Sequence, residues 1–278
     1  MVTVINQLVR CSQQCYCRTL EIAQTIYMVR KLTLLFLGML LFGMLTLLAW
    51  YQIDGIPIEE SKIFLSGNGY SLTEEDDGGL VFLPDNSNGY GIVIMHGALI
   101  LPQSYAKSAA FFAQKGYTVY LPNGPARMSI AVIDRTAERL KGFSVDGWFF
   151  IGHSMGGMSN LELISRHDIK AQAVALWATA MPRNYSDLDI PIVFIWGDTD
   201  GLLPAERFRR SKLNLPDDVE YITLEGANHK NFAMYSHQFF DKEARIDWME
   251  QIDFANEVTA TFFAKYFLPA LPQDNIRQ

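Results

Sequence analysis

The sequence predicts an α/β domain built on a mostly parallel, doubly wound sheet and preceded by one membrane-spanning helix. Three observations carry this. A charge-free apolar run of 19 residues, 32–50, lies near the N-terminus; short apolar runs rich in β-formers then alternate with longer segments of helical spacing; and a serine set between glycines stands where a strand passes straight into a helix.

Composition narrows the field first. With 278 residues, 49% of them apolar and only 19% charged, the chain has enough core-forming surface for one sizeable domain or two small ones, and disordered or low-complexity readings are excluded. The net charge is -7 and no long basic run exists to neutralise a phosphate backbone, so nucleic acid is not an expected partner. All three cysteines, Cys11, Cys15 and Cys17, precede the apolar run. The rest of the chain therefore has neither a disulfide framework nor a thiol nucleophile, and its chemistry must use oxygen or nitrogen.

The run LTLLFLGMLLFGMLTLLAW at 32–50 would span roughly 28 Å as a helix, close to the hydrocarbon thickness of a bilayer. Arg10, Arg18, Arg30 and Lys31 precede it against Glu21 alone, whereas Asp54, Glu59 and Glu60 follow it. This asymmetry keeps residues 1–31 in the cytoplasm as a tail and places the remaining chain on the extracytoplasmic side of the cytoplasmic membrane, with Trp50 and Tyr51 at the interface. Leu47 and Ala49 before Trp50 make a poor cleavage site, so the anchor is expected to be retained. Met28-Val-Arg-Lys resembles the start of such a segment, and residues 1–27 read as an upstream extension absent from the natural product. Gly38 and Gly43 are five apart and do not form the G-x-x-x-G dimer face.

Residues 51–77 read as a linker and first strand region, 78–268 as the α/β domain and 269–278 as a C-terminal tail. Strands are expected at 80–83, 91–96, 117–121, 148–152, 173–177, 192–196 and 219–224. Several are continuously apolar, as suits a parallel sheet covered on both faces. Segments 104–115 and 130–140 have crossover-helix lengths, and a final helix, 252–266, ends before Pro269 and Pro272. Only about fourteen residues, 178–191, separate two of the strands, too few for a large helical cap, which implies an open site. In such a sheet, ligands gather at the carboxyl ends of the strands.

Trp148-Phe-Phe-Ile-Gly-His-Ser-Met-Gly-Gly contains G-x-S-x-G as Gly152, Ser154 and Gly156. A serine on a sharp strand-to-helix turn exposes its oxygen above the sheet, and neighbours two residues away approach too closely to carry side chains. A serine hydroxyl needs an adjacent base, itself oriented by a carboxylate. Among five histidines, His96, His153 and His167 have structural explanations at a strand end, off the elbow and at a helix end. His229, in the loop Glu225-Gly-Ala-Asn-His-Lys-Asn after the last strand, is the expected base, with His237 second. The acid is expected in the Gly197-Asp-Thr-Asp-Gly loop, as Asp200 rather than Asp198, which suits an Asx-type turn. Met155, following the nucleophile, and Ala98, following His96-Gly97 at a strand exit, are the expected oxyanion N–H donors.

With these residues in the order Ser154, Asp200, His229, the sequence resembles the α/β-hydrolase superfamily over about residues 78–268. More narrowly it is similar to the small dienelactone-hydrolase-like group through G-H-S-x-G-G at Gly152 to Gly157, G-x-x-D-G at Gly197 to Gly201 and G-x-N-H-x-x-F at Gly226 to Phe232. Well-known dienelactone hydrolases carry cysteine where this chain has Ser154, so their lactone substrate does not carry over. The resemblance implies a serine hydrolase of carboxylic esters or related acyl compounds.

The expected chemistry is acyl transfer through an acyl-enzyme, with no cofactor and no metal, since the outer domain has no H-x-x-x-H or C-x-x-C pair. Met181, Pro182, Leu99, Ile100 and Leu101 could rim the site, and a small-molecule or lipid-like acyl compound is the expected partner. An acyltransferase with the same triad, and a non-catalytic binding protein on the same fold, are the competing classes.

Overall fold

The computed structural model describes residues 2–167 and 169–267, and the C-terminal tail with Pro269 and Pro272 lies outside them. The chain forms two compact units, Met1–Gln52 and Ile53–Gln278.

Helix α1 runs over Val2–Ile53, 52 residues. The sequence reading gave it only the apolar run. It extends upstream because residues 2–31 contain neither glycine nor proline, so nothing breaks the backbone hydrogen bonding. Its portion Gln24–Ile53 is long and apolar enough to cross a membrane by length and composition. At 1.5 Å per residue these 30 residues measure about 45 Å, a hydrocarbon core plus headgroup depth. Leu34 and Phe42 are 68% and 70% exposed within it, as an apolar face without a protein neighbour must be.

The second unit is an eight-stranded sheet with helices on both faces. Its strands are β1 (Tyr70–Glu74), β2 (Leu80–Pro84), β3 (Tyr90–Met95), β4 (Thr118–Leu121), β5 (Gly147–His153), β6 (Ala171–Trp177), β7 (Ile192–Gly197) and β8 (Glu220–Leu224). Their order is β1-β2-β4-β3-β5-β6-β7-β8. β2 pairs antiparallel with β1 and with β4, and all later pairs are parallel. β3, β5 and β7 are buried along their whole length, which explains their unbroken apolar sequences.

The helices are α2 (Ala106–Gln114), α3 (Ile133–Leu140), α4 (Met155–Arg166), α5 (Ala205–Lys212) and α6 (Trp248–Ala264). Two apolar clusters result, one on each sheet face: Phe112, Phe149, Trp177 and Phe263 belong to the first, and Phe150, Leu161, Phe194 and Phe208 to the second. β1, an edge strand buried at Tyr70 alone, lies within 51–77, the expected linker and first strand region, whereas α5 escaped the sequence reading because it is short and mostly charged and has no long apolar signature. His96, expected to end a strand, falls just beyond β3.

The segment expected as a linker is instead bonded into the domain. Gly55 N–H donates to the His237 carbonyl at 3.3 Å and Ser236 N–H to the Ile56 carbonyl at 2.8 Å, while Leu101 N–H donates to the Gly55 carbonyl at 3.1 Å. Residues 178–191 contain no helix, so β6 and β7 are joined without a cap.

The tightest packing constraint lies where β5 meets α4. A Cβ added to Gly156 would come within 1.9 Å of the Met95 carbonyl oxygen, a backbone atom that cannot rotate away. We predict that Gly156→Ala destabilises the domain by about 3 kcal/mol or more. Denaturant titration of the detergent-solubilised protein measures this, and a change under about 0.5 kcal/mol would contradict the packing described.

Candidate active site

Ser154 lies between β5 and α4 with φ 54° and ψ -119°. A non-glycine residue at positive φ is strained, and such strain persists only where surrounding structure enforces it. Here β5 is hydrogen-bonded to both β3 and β6, and Ser154 N–H donates to the Trp177 carbonyl of β6 at 2.8 Å. The glycines make the turn possible. A Cβ on Gly152 would meet Gly157 Cα at 2.4 Å, and one on Gly157 would meet the Thr179 hydroxyl at 2.2 Å.

Asp200 and His229 come together from loops after β7 and β8. Asp200 Oδ2 accepts the His229 Nδ1–H bond at 2.8 Å, with their side chains 0% and 3% exposed. The other carboxylate oxygen accepts Leu202 N–H at 2.8 Å and Leu203 N–H at 2.6 Å. Three donors thus meet a charge that burial would otherwise disfavour. Because Nδ1 carries the proton toward Asp200, the neutral ring of His229 leaves Nε2 as its acceptor.

His229 also adjoins the elbow. Its carbonyl accepts His153 Nε2–H at 3.0 Å, and the two imidazole centroids are 4.9 Å apart. The strand exit after β3 meets the same place, since a Cβ built on Gly97 would lie 3.4 Å from Ser154 Cβ. Thus Ser154, the Asp200–His229 pair and the segment carrying Ala98 converge at the carboxyl ends of β3, β5, β7 and β8. Gly97 N–H is bonded to the Tyr105 hydroxyl at 3.0 Å and Leu99 N–H to the Arg127 carbonyl at 2.8 Å. Met155 opens α4, whose N-terminal end presents positive partial charge.

The alternative residues are occupied elsewhere. Asp198 accepts Gly226 N–H at 2.6 Å and pairs with Arg245 at 2.7 Å, so it braces the acid loop against the base loop rather than closing a local Asx turn. His237 is half-exposed, with Nδ1 3.5 Å from Asp54 Oδ1. His167 caps α4 and pairs with Asp134 at 2.9 Å.

Asp241 escaped the sequence reading. Its carboxylate accepts Gly201 N–H at 2.9 Å and Lys230 N–H at 2.7 Å, joining the residue after Asp200 to the residue after His229. No local pattern marks it, because its two partners are 40 and 11 residues away. Among the described residues, no group of three or more His, Cys, Asp or Glu could hold a metal ion. Chemically, the arrangement offers a hydroxyl on a strained turn and, in the adjoining loops, an imidazole whose Nδ1–H is held by a buried carboxylate.

His96 is buried with Nδ1 donating to the Gly97 carbonyl at 2.8 Å, and burial pushes its pKa down to about 4, against a smaller raising effect of that bond. Burial also holds His153 well below the ordinary histidine value, with the neighbouring His229 and His96 acting in the same direction. The unfolded chain therefore binds protons below pH 6.5 that the folded chain refuses, so stability is complete above pH 6.5 and falls as pH drops toward 4. We predict that replacing His96 by Asn removes about 2 kcal/mol of the stability difference between pH 7 and pH 5. Denaturant titrations at both pH values test this, and equal pH slopes in the two proteins would contradict it.

Comparison with known proteins agrees with this architecture. The model of the alpha/beta hydrolase family matches residues 91–253, more than half of the chain. Among curated proteins, Cutinase 1 of Thermobifida cellulosilytica is 28% identical over 190 residues, covering 62% of this chain and 70% of its own length. A cutinase of Thermobifida fusca is likewise 28% identical, covering 62% of this chain and 61% of its own. The chain thus spans about two thirds of the length of these relatives. Among solved structures, an alpha/beta hydrolase enzyme from a metagenome of Mar Chica lagoon sediments has a TM-score of 0.52 at 19% identity, covering 70% of this chain and 98% of its own. A protein of Klebsiella pneumoniae subsp. pneumoniae assigned as a dienelactone hydrolase has a TM-score of 0.52 at 14% identity, covering 68% and 92%. Matched across β3 to α6, the chain belongs to the alpha/beta hydrolase family.

Proposed function

We propose that this protein is a membrane-anchored serine hydrolase that cleaves carboxylic esters through Ser154, His229 and Asp200. The observation that carries the reading is the buried 2.8 Å bond from His229 to Asp200 in a loop adjoining the strained Ser154 turn. The reaction class is supported by relatives named cutinase and by a solved structure of a thermophilic esterase from Thermogutta terrifontis, 15% identical, covering 75% of this chain and 96% of its own, with a TM-score of 0.52.

In this mechanism Ser154 Oγ attacks the ester carbonyl as His229 Nε2 takes its proton. Asp200 keeps the ring in the Nδ1–H tautomer and stabilises the imidazolium. The tetrahedral oxyanion is met by the N–H groups of Met155 and Ala98, aided by the N-terminus of α4. The imidazolium then protonates the departing alcohol, and water activated by His229 releases the acid from the acyl-enzyme. The uncapped β6–β7 connection fits an open site able to admit small or lipid-like acyl substrates, with the part-exposed Leu99 at its rim, whereas Met181, 3% exposed, belongs to the second apolar cluster. The apolar run 32–50 within the Gln24–Ile53 span serves as the anchor, with residues 1–31 facing the cytoplasm and the catalytic unit outside.

Two outcomes follow. Ser154→Ala is expected to lower turnover of p-nitrophenyl esters by a factor of about 1000 or more without lowering the melting temperature; turnover near that of the parent would exclude Ser154 as nucleophile. The full chain is expected to stay in the membrane pellet after alkaline carbonate extraction, and external protease should digest its hydrolase portion in intact cells. Release into the supernatant, or protection from that protease, would contradict the anchor or its orientation.

A further inference from the structure

His153 and Tyr105 form a hydrogen-bonded chain for which the triad chemistry has no direct use. Both are fully buried, at 0% and 1% exposure. The Tyr105 hydroxyl accepts Gly97 N–H at 3.0 Å and lies 2.7 Å from His153 Nδ1, while His153 Nε2 lies 3.0 Å from the His229 carbonyl oxygen.

The direction of each bond follows from its partners. A carbonyl oxygen can only accept, so His153 Nε2 must carry the hydrogen. The neutral ring then leaves Nδ1 bare, and Tyr105 must give its single O–H hydrogen to it. The bonds therefore run one way: Gly97 N–H to Tyr105, Tyr105 O–H to His153, His153 N–H to the carbonyl of His229. Burial reinforces the neutral state by lowering the His153 pKa and raising that of Tyr105. Aligned bonds in a dry interior polarise one another and strengthen.

The ends of this chain matter. It starts at Gly97, next to the Ala98 oxyanion donor, passes through the residue preceding Ser154, and finishes on the main chain of His229. These three loops lie far apart in sequence. Placing His153 against the rings of Phe232 and His229, with Tyr105 buried beside it, costs desolvation that an apolar pair would avoid, so their placement is not explained by packing alone.

We propose that Tyr105 and His153 are positioning residues that fix the oxyanion segment, the nucleophile and the base at one mutual spacing through a single directed hydrogen-bond relay. This rests on the Ser154–His229–Asp200 reading. The relay holds no transferable charge and does not compete for the His229 ring nitrogens, because it ends on that residue's carbonyl.

The test uses the full chain in detergent, with kcat and KM for a p-nitrophenyl ester and a thermal melt for every variant. Tyr105→Phe and His153→Leu are expected to lower kcat about tenfold or more, with KM within about threefold of the parent. His153→Gln, whose amide N–H can replace Nε2–H toward the His229 carbonyl, should recover most of the kcat lost in His153→Leu. The Tyr105→Phe/His153→Leu double variant should be no slower than His153→Leu alone, since both break the same chain. Parental kcat in Tyr105→Phe, or His153→Gln no faster than a folded His153→Leu, would overturn the relay. If His153→Leu does not fold, Tyr105→Phe decides by the same kcat criterion. Ser154→Ala separates the two claims: an inactive Ser154→Ala beside a fully active Tyr105→Phe defeats the relay alone, whereas an active Ser154→Ala defeats the triad reading and the relay with it.

Discussion

A carboxylate taken wholly out of water has to have its charge met by fixed donors, and Asp200 satisfies this with three. Two are main-chain N–H groups of its own loop, and the third is His229 Nδ1–H. Because the two local bonds fix the carboxylate, its remaining oxygen has a defined direction, which in turn fixes the imidazole tautomer and leaves Nε2 as the ring's acceptor, as the proposed base requires. The loops around the pair are braced accordingly. Asp198 holds the acid loop to Gly226, and Asp241 holds Gly201 and Lys230 together. The orientation of one ring thus depends on contacts spread from β7 to the segment before α6.

The opposite side of the site depends on strain held in place by close packing. The positive φ of Ser154 is a local cost, offset because β5 is sandwiched between β3 and β6 and because α4 packs onto the sheet through glycines at 156 and 157. Rigidity here suits catalysis. A nucleophile displaced by an ångström loses much of the advantage of pre-organisation, and a turn whose neighbours are backbone atoms at contact distance has little room to drift.

Much of this architecture was legible in the sequence, for identifiable reasons. β3, β5 and β7 are buried on both faces, so their apolar runs were unmistakable, and the G-x-S-x-G spacing marked a junction where side chains would collide. Asp200 and His229 were singled out because each lies in a short Gly-containing loop a few residues past a strand, Asp200 three beyond β7 and His229 five beyond β8. The edge strand β1 had no bounds beyond a first strand region within 51–77, and the charged helix α5 was hidden, because each buries little of itself. The upstream part of α1 was read as a tail because it lacks the continuous apolar run of 32–50, although it also lacks the glycine or proline that would end a helix. Asp241 and Tyr105 were illegible because their roles consist of contacts with main-chain atoms of distant loops. His153 was read as merely structural, its burial and placement being visible while its two partners were not.

The central claim is that His229, held by Asp200, activates Ser154 for attack. Exposure of the full chain to a fluorophosphonate, followed by peptide mapping with mass spectrometry, tests it most directly. The adduct is predicted on Ser154 alone, with its rate of formation falling at least about a hundredfold when His229 is replaced by Ala. An adduct on another residue, or labelling of Ser154 at an undiminished rate without His229, would contradict the account.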